Sequence, residues 1–250
     1  MQEISDEKKF NTMRERILQE IVETERTYTL SLMRILDIYI EPIKNKSLLK
    51  ENDRNTLFAN ICNIQSMHYQ LFQEIASNFN SFMWSKNIEL IPHGNDSNIE
   101  KKEITSLESS RIITEVFEKY ITGFDEYKIY CLNYETALKT LEKQRNNNTN
   151  FSKFLLATKD EARDSGLDLN YYLILPIARI PRYILLFRDL LKYNKESEEN
   201  VKIIEKLIQR LSEQTRDINE AQQAKSQQEN LENQPTILNR VKHCLGFNNN

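Results

Sequence analysis

Apolar residues at Phe10, Met13, Ile17, Ile21, Tyr28, Leu32, Ile35 and Tyr39 recur at close to 3.6 residues, the period of one helix face. A chain that opens this way carries a long apolar stripe that other helices have to cover. Asp6 suits the N-cap and Pro42 the stop, which places this helix over about 6–40, roughly 50 Å at 1.5 Å per residue.

The same period returns further on. Leu57, Ile61, Ile64, Met67, Leu71, Ile75 and Phe79 form a second stretch that fades before the loop IPHGNDSN at 91–98. A third runs through Ile112, Val116, Tyr120, Phe124, Tyr127, Cys131, Tyr134, Leu138 and Leu141 to the polar run RNNNTN, with Gly123 inside it predicting a kink or break. Thr149 or Asn150 is expected to cap a short helix holding Phe151, Phe154 and Leu155. The densest apolar segment, LDLNYYLILPIARIPRYILLFRDLLKYN at 167–194, contains Pro176 and Pro181. Each removes a backbone donor, so the first half of that helix is expected to be irregular and the part after Tyr183 regular. A last helix from about Glu198 carries Val201, Ile204, Leu207, Ile208, Leu211 and Ile218, and loses its stripe beyond Ile218, where it is expected to project into solvent. Strand alternation and hairpin turns are almost absent. The fold class is all-α: an elongated bundle of about six helices.

Composition narrows function by exclusion. Average usage of about 7% would give roughly 17 glycines in a chain this long, whereas only 4 occur, at 94, 123, 166 and 246. They are too scattered for a phosphate-cradling loop or a dinucleotide fingerprint, which sets aside kinases, GTPases, ATPases and nicotinamide enzymes. Cys62, Cys131 and Cys244 form no CxxC pair, which points to a reducing compartment, and His68, His93 and His243 lie in no metal-ligand motif, so no cofactor or metal is expected. The N-terminus MQEISDEKKFN is charged from the start, with no secretory signal, and no apolar run reaches about 18 residues. A cytoplasmic location follows as an expectation. A formal charge of −3 with interspersed signs leaves no basic stripe for nucleic acid.

Three segments then stand out: EIVETERTY at 20–28, the stretch FEKYITGFDEYKIYCLNYETALKTLEKQRNNNTNFSKFL at 117–155, and GLDLNYYLILPIARIPRYILLFRDLLKYN at 166–194. In this order they resemble the three conserved regions of the Dbl-homology (DH) domain of Rho guanine-nucleotide exchange factors, the RhoGEF family. The third is the most specific, since two prolines followed by Arg-Tyr inside an apolar helix are unusual. The resemblance covers about residues 12–226. It leaves 1–11 as an extension of the first helix and 227–250 as a tail or linker stub toward a possible absent pleckstrin-homology (PH) domain. In that tail Pro235 reads as a helix stop, and Ile237, Leu238, Val241, Leu245 and Phe247 as a short amphipathic piece.

What the resemblance implies is a helical surface that binds a Rho- or Rac-family small GTPase, rearranges its switch regions and Mg²⁺ site, and speeds loss of GDP without covalent chemistry. It implies contact with the membrane only through the GTPase or the absent PH domain. Glu25, in the TER triplet, matches the family's glutamate for switch I; read from the residues alone it is a charged group on a helix flank. Asn219, in DINEAQQ, matches the polar residue for switch II. Leu175 fills the place of a commonly used lysine in Leu-Pro-Ile-Ala-Arg, leaving Arg179 and Arg182 to supply positive charge or to pair with bundle acids such as Asp189. Leu167 and Leu169 match the place where family members distinguish GTPase subgroups. A helical scaffold or membrane-associated adaptor bundle is the alternative, one that calls for basic faces or sustained heptads, and neither is evident.

Overall fold

The computed structural model describes residues 2–78, 105–161 and 167–232, with side chains over 8–78, 105–158 and 167–229. These residues form nine α-helices and, among them, no strand. α1 spans Gln2–Ile35, α2 Glu41–Asn45, α3 Glu51–Phe58, α4 Ile61–Asn78, α5 Ser106–Tyr120, α6 Glu126–Asn147, α7 Thr149–Glu161, α8 Leu169–Lys192 and α9 Glu198–Glu232. The expected all-α elongated bundle is what forms. α1 packs on α4, α5 and α8; α9 packs on α8, α5 and α6; α6 also carries α3 and α7.

Several boundaries differ from the sequence reading, each for a local reason. α1 begins at Gln2, so Asp6 is inside the helix, and Pro42 does not end it. The chain stays helical through a π-helical turn at Leu36–Ile40 and on into α2, with Pro42 in its first turn directly after that π turn. The second periodic stretch is two helices, split at Ala59, whose φ of 45° breaks the helix between Phe58 and Ile61. Gly123 marks a real break: the chain passes from α5 to α6 through a 3₁₀ turn at Ile121–Asp125. A Cβ at Gly123 would meet Met67 Cγ at 2.8 Å, so glycine there permits close approach to α4. The cap of α7 is Asn148, one residue before the expected pair, its side chain accepting from Phe151 N at 3.1 Å.

α8 is unbroken through both prolines. Asp168 caps it by accepting from Tyr171 N, and Tyr130 of α6 donates to Leu173 O at 2.7 Å, beside the first proline. Nor does α9 leave the bundle after Ile218, since Gln222 donates to Cys131 O and Lys225 to Leu132 O, both on α6. The apolar stripe stops there, and side-chain bonds to α6 carbonyls continue the contact. The expected loop at 91–98 and the amphipathic tail residues Ile237, Leu238, Val241, Leu245 and Phe247 lie outside the described residues.

Candidate functional site

α8 is apolar on two faces. Tyr172, Leu173, Pro176, Ile180, Tyr183, Phe187 and Leu190 are buried in the core. Tyr171, Ile174, Ala178, Pro181 and Leu185 follow one another at helical spacing on the outside, and Leu185 is 56% and Ile174 48% exposed. An outward apolar row on a bundle's central helix marks a surface built to be covered. Between this row and α1 runs a groove of about 580 Å³, walled by Glu23, Thr24 and Thr27 on one side and Leu175, Pro181 and Leu185 on the other. An ion pair between Arg182 and Glu20 ties the two exposed rims together.

Tyr28 and Arg179 line the groove, and beneath them lies a buried polar cluster drawn from four helices. Glu25 of α1 is fully buried. Its Oε1 is 2.7 Å from His68 Nδ1 on α4; its Oε2 accepts from Arg179 at 2.5 Å and from the Tyr183 hydroxyl, both on α8. His68 Nε2 is 2.6 Å from the Tyr127 hydroxyl on α6, which is 2.9 Å from that of Tyr28. The Arg179 guanidinium sits between the rings of Tyr28 and Tyr183, at 4.6 and 4.4 Å.

The protonation states follow from these surroundings. Burial by itself would raise the Glu25 carboxyl, but His68, Arg179 and the hydrogen bonds from His68 and Tyr183 outweigh it and hold it at about 2. Burial lowers His68 against the pull of Glu25, so its imidazole is neutral near pH 7 and Arg179 is the cation that balances the carboxylate. Burial raises Tyr28, Tyr127 and Tyr183, which therefore keep their protons. One arrangement fits these contacts: Tyr28 donates to Tyr127, Tyr127 to His68 Nε2, and His68 Nδ1–H, Arg179 and Tyr183 all donate to Glu25, while Arg179 Nε is buried without a hydrogen-bond partner.

These positions revise the candidate residues. Glu25 has no exposed atom with which to touch a partner; the exposed carboxylates of this face are Glu20 and Glu23. Arg179 is buried on Glu25, and Arg182 pairs with Glu20, while Asp189 is taken by Lys192. Leu169 is buried at the start of α8, so a partner cannot reach it, and Leu167 is half-buried against the core. Leu175 is half-buried in the groove. Asn219 is exposed on α9 beside Pro176, Ile177 and Pro181, which puts it on the far flank of α8 from α1. Leu175, Arg182 and Asn219 thus share one face with Glu20, and Glu25 and Arg179 lie under it.

The sequence reading missed His68, Tyr127 and Tyr183 as a polar set, although a signal was present. Glu25 falls four residues after Ile21, His68 four after Ile64, and Arg179 three after Pro176, each on the core stripe of its helix. Polar groups on three core stripes have to find one another. Among the described residues no group of three or more His, Cys, Asp and Glu is placed to hold a metal ion, and no helix is long and apolar enough to cross a membrane.

Comparison with known proteins fixes the family. The model of the RhoGEF domain matches residues 17–219. This chain belongs to the RhoGEF family. The chain is 28% identical over 237 residues to Rac guanine nucleotide exchange factor B of Dictyostelium discoideum, covering 91% of the chain and 19% of that protein. It is 26% identical over 217 residues to the myosin-M heavy chain of the same organism, covering 87% of the chain and 11% of the relative. The chain therefore spans under a fifth of the length of these relatives. In fold the RhoGEF domain is similar to the apo structure of the activated truncation of Vav1, with a TM-score of 0.72, 21% identity and coverage of 88% of this chain and 49% of that one. It is likewise similar to the PDZ-RhoGEF DH/PH domains solved in complex with activated RhoA, with a TM-score of 0.64, 15% identity and coverage of 89% and 57%.

Proposed function

We propose that this chain is a guanine-nucleotide exchange module for a Rho-family small GTPase, and that the outward face of α8, between the α1 groove and Asn219 of α9, is where the GTPase docks. The observation that carries the reading is the exposed apolar row of α8 inside a RhoGEF domain, edged by the Glu20–Arg182 pair and by Asn219. An apolar centre with a polar rim is the anatomy of a specific protein interface. At Leu175 the surface offers an aliphatic group where the family often has lysine, so a partner meets apolar contact there and no ammonium.

Exchange on such a surface is linkage. A surface that binds the nucleotide-free GTPase more tightly than the loaded one lowers nucleotide affinity by the same factor. The switch loops and Mg²⁺ site of a GTPase are order-disorder elements, and stabilising their displaced arrangement lowers the barrier to GDP release by about 1.4 kcal/mol for each tenfold acceleration. No bond of the nucleotide is made or broken. The side chains that reach the surface of this face are Glu23, the paired Glu20 and Arg182, Leu175, Leu185 and Asn219; Glu25 and Arg179 act from below by fixing α1 against α8. Location at the cytoplasmic side, with membrane contact made indirectly through the GTPase or a PH domain outside this chain, accompanies this reading.

The test is release of a fluorescent GDP analogue from a panel of purified Rho-family GTPases with and without the chain. Acceleration on at least one member is the expected result. A panel without any acceleration, while the chain is folded by circular dichroism, would leave the scaffold alternative standing in its place.

A further inference from the structure

His68 lies on α4, which contributes nothing to the outward face of α8, yet it is the hub of the cluster beneath that face. Its ring is fully buried and stacked near Phe124 and Tyr183, at 5.7 and 6.3 Å. One nitrogen meets Glu25 on α1 and the other Tyr127 on α6. Glu25 in turn grips α8 at two residues one turn apart, Arg179 and Tyr183.

The grip falls where α8 most needs it. Pro176 and Pro181 each withdraw one backbone N–H, so the segment they bracket is held by fewer main-chain hydrogen bonds than an ordinary helix. That same segment presents Ala178 and Pro181 to the groove. A side-chain attachment at Arg179 inside that segment, and others at Tyr183 and Leu173 O just beyond its two ends, tie this stretch of α8 to α1 and α6.

We infer that His68 and Tyr127 are positioning residues for nucleotide exchange: acting through Glu25, they set the orientation of the proline-bracketed segment of α8 against α1. The inference rests on the exchange reading above. A partner docks on the apolar row in both its loaded and nucleotide-free states, whereas the exact placement of α8 relative to α1 counts when the switch loops are held displaced. Loss of either link therefore lowers the maximal exchange rate more than it weakens docking.

The experiment measures GDP release on a GTPase that the native chain serves, over a range of chain concentrations, for Tyr127→Phe, His68→Leu and His68→Asn. Tyr127→Phe removes a single hydroxyl, so it keeps the test open if His68→Leu does not fold. The Asn amide nitrogen reproduces the Nδ1–H that donates to Glu25. Tyr127→Phe and folded His68→Leu are expected to lose about tenfold or more in maximal rate, with half-saturation moved by less than about threefold; His68→Asn, which keeps the Glu25 link and lacks the Tyr127 link, is expected to fall to about the level of Tyr127→Phe and to stay above His68→Leu. A Tyr127→Phe chain with a maximal rate within about twofold of native would overturn the inference, as would losses that disappear when rates are expressed per folded molecule. A native chain inactive on the whole panel overturns the exchange reading, and this inference with it.

Discussion

Glu25 and Arg179 face one another where water does not reach, and removing one member of such a pair leaves the other charge buried and unpaired. Glu25→Ala is therefore expected to cost about 3–5 kcal/mol of stability, read as a large fall in the denaturant midpoint. An exposed contact residue would leave that midpoint nearly unchanged, which is what the family match alone led one to expect of Glu25. Acid should expose the cluster in two windows. His68 is held below its ordinary value, so as pH falls through about 6.5 the unfolded chain takes a proton that the folded chain refuses, and stability drops. Glu25 is depressed to about 2, so its contribution is complete above about 4.3 and is lost as pH falls from there through 2. The melting temperature should decline between about pH 7.5 and 5.5, and His68→Asn should abolish that segment while keeping the fall below about pH 4. A native melting curve flat across the upper window would show that His68 is not buried neutral. The core stripes of α1, α4 and α8 were legible in the sequence, and so were the positions of Glu25, His68 and Arg179 on them. Their pairing was not, because it depends on which three stripes meet.

At the scale of elements, the periodicity of apolar residues located every long helix but could not see junctions that keep a helical spacing across a break. Ala59 is the clearest case. Its φ of 45° lies in the left-handed region, and the apolar positions on either side, Leu57 and Ile61, read as one stripe. At φ 45° and ψ −128° a residue with a Cβ is strained by about 1–3 kcal/mol, and the greater freedom of glycine in the unfolded chain offsets about 0.4–1 of that. Ala59→Gly should thus raise stability by about 0.5–1 kcal/mol, a shift of a few degrees in thermal melting; a lowered melting temperature would mean that the Ala59 methyl's packing outweighs the strain. The prolines of α8 misled in the opposite direction. Backbone donors were lost as expected, but Tyr130 and the Glu25 cluster brace the helix from outside it and it runs unbroken. Supports of that kind come from other helices and leave no mark on the local sequence.

At the scale of the whole molecule, α8 packs against α1 on one side and α9 on the other, and among the described residues its outer row is exposed. The scarcity of glycine fits this arrangement: four scattered glycines supply no phosphate-cradling loop among helices that expose an apolar row. Asn219, exposed on α9 at the far edge of that surface, is expected to reduce exchange when replaced by alanine and to leave the melting temperature within about 2 °C of native. The most direct test of the central claim compares the native chain with Leu185→Asp in GDP release from the responsive Rho-family GTPase. Leu185 is exposed, so the charge costs the fold little. The account predicts that the native chain accelerates release and that Leu185→Asp loses about tenfold or more of that acceleration with its melt unchanged. An equally active Leu185→Asp chain would contradict the placement of the docking face on α8, and a native chain without effect on any member of the family would contradict the exchange function itself.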